Sequence, residues 1–162
     1  ATVGARDVER VHTLGAAHTI DYGRERFEDI ARELDFVLDT VGGNTLARSF
    51  ATLRPGGALA SLHVPPPTDT LAAAGLRTPW LLRALLPLIT RSSRVAADKH
   101  GVRLIPVLSV PDARVLDTLR SLVSARPLEI PIDREFPFPD LAAAFDHLTR
   151  GQARGRVVLT RA

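Results

Sequence analysis

An α/β fold built on a parallel sheet is what this sequence predicts, and three features predict it. Short apolar runs alternate with stretches of helical periodicity, the order of parallel strands joined by crossover helices. In "LDFVLD" the residues Phe36, Val37 and Leu38 are apolar in a row, as in a strand covered on both faces. "TVGG" and "RPGG" turn the chain on either side of the helix between two such runs, as glycine and proline do at element boundaries.

The elements follow in order. "ATV" is the tail of a strand. Arg6 to Leu14 carries Val8, Val11 and Leu14 at helical spacing, and Gly15 closes it as a carboxyl-terminal cap. "AHTIDY" is a short strand ending near Tyr22. Arg24 to Glu33 is a charged helix with Phe27 and Ile30 on its inner side. After the buried strand that ends at Asp39, Asn44 caps a helix from Thr45 to Leu53. "ALASLHV" is the next strand and "PPPTDT" a loop. Helices are expected near Leu71–Gly75 and Pro79–Ala97, then a strand "VRLIPVLSV" whose Pro106 suits a sheet edge. Asp112 to Ala125 is an amphipathic helix with Val115, Leu116, Leu119, Leu122 and Val123 inward. "EFPFPDLAAAFDHLTRG" is a turn and helix, and "GRVVLT" a final strand.

Bulk properties narrow the function classes. At 162 residues the chain is long enough for one domain with a sizeable core. Its 45% hydrophobic and 24% charged residues describe a soluble globular protein. The net charge is +3, the arginines are scattered and aromatics make up 5%, so no nucleic-acid partner is expected. Without cysteine there is no disulfide and no thiolate metal site, and the five histidines show no ligand spacing, so no metal is expected. Leu71 to Ile89 is apolar, but Arg77, Pro79, Arg83 and Pro87 interrupt it, and no membrane partner is expected. With no signal peptide in view, the cytoplasm is the expected compartment.

The segments "LGAAHTIDY", "DFVLDTVGGNTLARSFATLRPGGALASL", "IDREFPFPDLAAAFDHL" and "GQARGRVVLT" together resemble the medium-chain dehydrogenase/reductase superfamily, in its zinc-free quinone oxidoreductase branch. They lie in that family's order and cover nearly the whole chain. The resemblance implies a Rossmann-like, doubly wound parallel sheet, with residues 1–162 forming part of a dinucleotide-binding domain. It also implies that the sheet is incomplete here. The sequence opens at the family's second strand and holds no G-x-G-x-x-G, the turn that cradles the pyrophosphate at a helix amino terminus. In the family's strand order the first strand is central, between the second and fourth.

The same resemblance nominates a cofactor site. Ligands of such sheets lie across the carboxyl ends of the strands, where Val41, Gly42, Gly43 and Ser61 fall. Glycine there lets backbone approach a ribose closely. Thr2 stands at the tip of the second strand, where a carboxylate would bind the ribose of NAD and repel a 2′-phosphate. "TVGAR" offers instead a hydroxyl, the flexible Gly4 and the guanidinium of Arg6, which favours NADP. Tyr22 matches a tyrosine that lies beside the 2′-phosphate in the family. The plain alternatives are an exposed arginine at a helix start and a partly buried strand-end tyrosine. Asp39 is expected to bond loop backbone, and His63, where relatives carry small residues, to crowd the nicotinamide side. No catalytic residue is nominated.

The function implied is the cofactor-binding portion of an NADPH-dependent oxidoreductase passing hydride to a quinone or an enone-type carbonyl substrate. A homodimer of the complete protein is expected through the Leu104–Val110 strand, and the chain by itself is expected to be inactive. Two other readings stand beside it. "LRPGGAL" also resembles the helix-to-strand turn of class I S-adenosylmethionine methyltransferases, and a truncated, non-catalytic relative could serve as an interaction module.

Overall fold

The computed structural model describes residues 1–110, 112–125, 130–151 and 153–161. It divides into two compact units, Ala1–Val110 and Pro111–Ala162. All strand pairs are parallel and the sheets are open, so the fold is α/β with Rossmann-like topology.

In the first unit β1 (Thr2–Val3) pairs with β2 (Ile20–Asp21). Between them a 3-10 turn leads into α1 (Val8–Thr13). Gly15 ends the helix as predicted, at φ +97°, its N–H on the His12 carbonyl while Ala16 N reaches Val11 O. A second sheet has the order β3–β4–β5, from Leu34–Asp39, Leu53–Ser61 and Arg103–Pro106. Between β3 and β4 lies α3 (Gly43–Ser49); α4 (Thr68–Ala73), α5 (Trp80–Ile89) and α6 (Arg91–His100) precede β5. Leu46, Phe50, Leu53, Leu59, Val64, Ala97 and Val102 form the core, so α3, the turn after it and α6 share one hydrophobic layer against β4. Phe50 is 1% exposed and Leu59 fully buried.

Several expectations need correction. The helix predicted over Arg24–Glu33 shrinks to α2 (Phe27–Ile30), and Ile30 is exposed while Glu28 is buried. Two arginines explain the inversion. Arg26 Nη2 lies 2.8 Å and Arg48 Nη1 3.1 Å from Glu28 Oε1, and Arg48 also stacks on the Phe27 ring. Phe36 and Leu38 are more than half exposed, whereas Leu34 and Val37 of that strand pack against the core. Alternation sends the two neighbours of Val37 to the other face, where they stay exposed. Asn44 is inside α3 rather than its cap; Gly42 holds that place. Pro79–Ala97 is two helices, broken at Thr90, whose hydroxyl bonds the Leu86 carbonyl. The strand predicted to reach Val110 ends at Pro106, although Val107 N still donates to Ser61 O.

In the second unit Asp112 caps α7 (Ala113–Ser124) by accepting Arg114 N at 2.8 Å. β6 (Ile132–Pro137) pairs with β7 (Arg156–Thr160), and α8 (Leu141–Thr149) packs on both. Val115, Leu116, Leu119, Leu122 and Val123, expected inward, are all exposed.

Candidate functional site

The loop after β3 is organised by one carboxylate. Asp39 closes an apolar strand and is 3% exposed. Its Oδ1 accepts Gly42 N at 3.0 Å and Val41 N at 3.3 Å, and its Oδ2 accepts the Ser61 hydroxyl at 2.8 Å. This is the loop-bonding role expected of it. Parallel pairing sets Asp39 opposite Ser61, so the bond spans the ends of adjacent strands. Ser61 is fully buried, and its Oγ also accepts His63 N at 3.1 Å. Its hydroxyl therefore holds two loops together rather than facing outward.

Gly42 is buried at φ +76°, and a Cβ there would stand 2.7 Å from His63 Cγ. The His63 side chain packs against the glycine, with Nε2 donating to the Thr40 carbonyl at 3.0 Å. Gly43 follows at φ +55°, exposed, with open space around it, and Val41 is 64% exposed. Val41 and Gly43 thus offer surface, while Gly42 is fixed beneath the histidine.

A second group forms at the end of β1. Tyr22 N donates to Val3 O, and a Cβ on Gly4 would meet the Tyr22 hydroxyl at 3.2 Å. The phenol therefore rests over Gly4, with its ring 69% exposed. Arg6, in the 3-10 turn that starts there, is exposed and makes no ion pair among the described residues. Nearby Asp21 is engaged by Gly23 N and Arg24.

An open cavity of about 280 Å³ runs along β3, lined by Thr2, Ile20, Phe27, Phe36, Leu38 and Val41 among others. It lies between the β1–β2 pair and the free edge of β3. The structure thus brings Thr2 and Val41 to one cavity, Gly4 to Tyr22, and Gly42 to Ser61 through Asp39. Gly4, Arg6, Tyr22, Gly42, Gly43 and Ser61 do not line this cavity.

Sequence reading missed one cluster. In the second unit His147 Nε2 lies 2.6 Å from Asp133 Oδ2, while Asp133 Oδ1 accepts Arg154 N at 2.8 Å. The Arg154 N–H, and then His147, hold the Asp133 carboxyl below its ordinary range. Fourteen positions separate the pair, on a strand and a helix, so no local spacing signals it. It ties α8 to β6. Among the described residues no three His, Cys, Asp or Glu gather as a metal site.

A sequence model of the zinc-binding dehydrogenase family matches residues 14–159. The mouse NAD(P)H oxidoreductase RTN4IP1, mitochondrial, is 31% identical over 158 residues, covering 93% of this chain and 38% of the relative. A 2-haloacrylate reductase from Burkholderia sp. is 27% identical over 161 residues, 93% of this chain and 44% of that protein. Among solved structures, the quinone oxidoreductase from Coxiella burnetii superposes with a TM-score of 0.70 at 25% identity, over 98% of this chain and 43% of that one. The chain therefore spans about two fifths of the length of the relatives it matches. The expected cytoplasmic compartment is overturned by the mouse relative, whose name is mitochondrial. The methyltransferase reading finds no support among these relatives.

Proposed function

The chain belongs to the zinc-binding dehydrogenase family, in the zinc-free quinone-oxidoreductase branch of the medium-chain dehydrogenase/reductases, and we propose that it is the cofactor-binding portion of an NADPH-dependent oxidoreductase. One observation supports this reading: the loop locked by Asp39 and Ser61 shares a single cavity with Thr2 of β1. That suits a dinucleotide laid across strand ends. Val41 and Gly43 would meet the nicotinamide-side ribose, and Thr2, Gly4, Arg6 and Tyr22 the adenosine end. Gly42 and Ser61 act from beneath, by fixing the loop. Hydride chemistry belongs to the nicotinamide; the chain supplies position.

The relatives support a substrate class. A quinone oxidoreductase and a 2-haloacrylate reductase both act on polarised double bonds, which supports a quinone or enone-type carbonyl acceptor. Residues 1–162 are proposed as part of the dinucleotide-binding domain, with the pyrophosphate held by a glycine-rich turn outside this sequence. The complete protein is proposed to dimerise through Leu104–Val110, since β5 pairs only with β4 among the described residues. Light scattering that finds a monodisperse monomer at micromolar concentration would exclude the dimer.

The test of the cofactor reading is an NMR titration of this chain with NADPH and with NADH. NADPH should shift Val41–Gly43 and Tyr22 amides at millimolar concentration, with no reduction of a quinone by the chain alone. Identical Tyr22 shifts with both cofactors, or no shift at Val41–Gly43, would refute it.

A further inference from the structure

His63 closes a circuit of hydrogen bonds around the loop after β3. Its backbone N–H donates to Ser61 Oγ at 3.1 Å, and the Ser61 hydroxyl donates to Asp39 Oδ2 at 2.8 Å. Its imidazole reaches the next residue along, with Nε2 3.0 Å from the Thr40 carbonyl oxygen. A carbonyl only accepts, so Nε2 carries the proton of that bond. Gly42 shows which edge of the ring turns inward. A Cβ there would stand 2.7 Å from His63 Cγ and 3.1 Å from Cδ2, so the Cδ2–Nε2 edge faces the loop.

The target of that edge is one peptide unit. Between Thr40 and Val41 the carbonyl accepts from His63, and the N–H donates to Asp39 Oδ1 at 3.3 Å. Turning this peptide over would break both bonds. The bond to the carboxylate is long for N–H···O, which leaves the imidazole as the better-placed restraint. Joining β3 to β4 needs nothing from His63 Nε2, because the strand ladder and the Asp39–Ser61 pair already do so. Its effect is local to the peptide that aims Val41.

We infer that His63 is a positioning residue of the cofactor site, whose Nε2–H fixes the Thr40–Val41 peptide and with it the surface that Val41 and Gly43 present. This rests on the cofactor reading above and deepens it. The imidazole itself is given no contact with the nucleotide.

Three substitutions of His63 separate the bond from the packing. His63→Gln keeps an N–H donor at a similar reach, His63→Phe keeps a ring against Gly42 without the donor, and His63→Ala removes both. The first readout is amide hydrogen exchange of the full chain without ligand. In His63→Phe and His63→Ala, Val41 and Gly42 should exchange roughly fivefold faster, with Leu59 and Ala60 of β4 unchanged. His63→Gln should stay within about twofold of the unsubstituted chain. The second readout is the midpoint of the NADPH-induced amide shifts at Val41 and Gly43. It should rise roughly fivefold in the same two variants and return in His63→Gln. If His63→Ala does not fold, His63→Phe carries the comparison. Unchanged exchange at Val41, faster exchange spread equally to Leu59 and Ala60, or His63→Gln behaving as His63→Phe does, overturns the inference. So does an NADPH midpoint indifferent to all three variants, which leaves the cofactor reading standing. No NADPH shift in the unsubstituted chain refutes the cofactor reading itself, and the role given to His63 falls with it.

Discussion

Ser61 donates its hydroxyl to Asp39 Oδ2 across 2.8 Å, joining the ends of two adjacent strands between side chains that water does not reach. Removing the donor leaves a buried carboxylate oxygen with one partner fewer, and His63 N loses its acceptor. Ser61→Ala should therefore cost about 1–3 kcal/mol of stability. Asp39→Ala should cost more, since it strands the N–H groups of Val41 and Gly42 as well. A double-mutant cycle by urea denaturation checks this. Strictly additive losses would show that the bond couples nothing.

Gly42 and His63 make the second prediction. Gly42→Ala places a Cβ at positive φ, costing about 1–2 kcal/mol, and drives it against the imidazole, adding about 1–3 kcal/mol of overpacking. Pairing it with His63→Ala should return the collision part and leave the backbone part. If the double variant is no more stable than Gly42→Ala alone, the ring is not the obstacle.

Sequence order made the parallel topology legible, because strands, helices and glycine turns alternate locally. Asp39 was legible too, as the one acid ending an apolar strand. What the sequence hid depends on neighbours far along the chain. Glu28 reads as a surface acid until Arg48, twenty positions away, folds over Phe27 and holds it. Phe36 and Leu38 read as core because three apolar residues in a row suit a strand covered twice, and the face they occupy is open. Ser61 was legible as a strand-end residue of the site; that its hydroxyl turns inward to Asp39 was not.

Glu28 carries the pH prediction. A backbone N–H bond draws its carboxyl below the ordinary value; burial opposes this, and Arg26 and Arg48 add to the lowering. A folded-state pKa below the unfolded one gives stability that is present above the unfolded value and lost as pH falls through the folded one. The loss should thus set in as pH falls into the ordinary glutamate range and continue below it. Glu28→Gln should lower stability at pH 7 and flatten that decline. Urea midpoints of both proteins at pH 7 and pH 3 measure it. Parallel declines would mean that Glu28 is not the group responsible.

The proposed cofactor choice would rest on Arg6 and Tyr22. The guanidinium is exposed and unpaired among the described residues, and the phenol rests over Gly4, so both are open to a phosphate at the end of β1. A 2′-phosphate would take a charge-assisted bond from the arginine and a neutral one from the phenol. Arg6→Ala should then weaken NADPH by about 1–3 kcal/mol, roughly five- to 150-fold. Tyr22→Phe should cost about 0.5–1.5 kcal/mol, because the ring stays and only the hydroxyl goes. NADH lacks the phosphate and should be unchanged in both variants. Calorimetry with the two cofactors, on the chain joined to its glycine-rich turn, separates the terms. An equal loss for NADH in Arg6→Ala would assign the arginine to the diphosphate shared by both cofactors. The preference for NADPH would then have no residue to carry it.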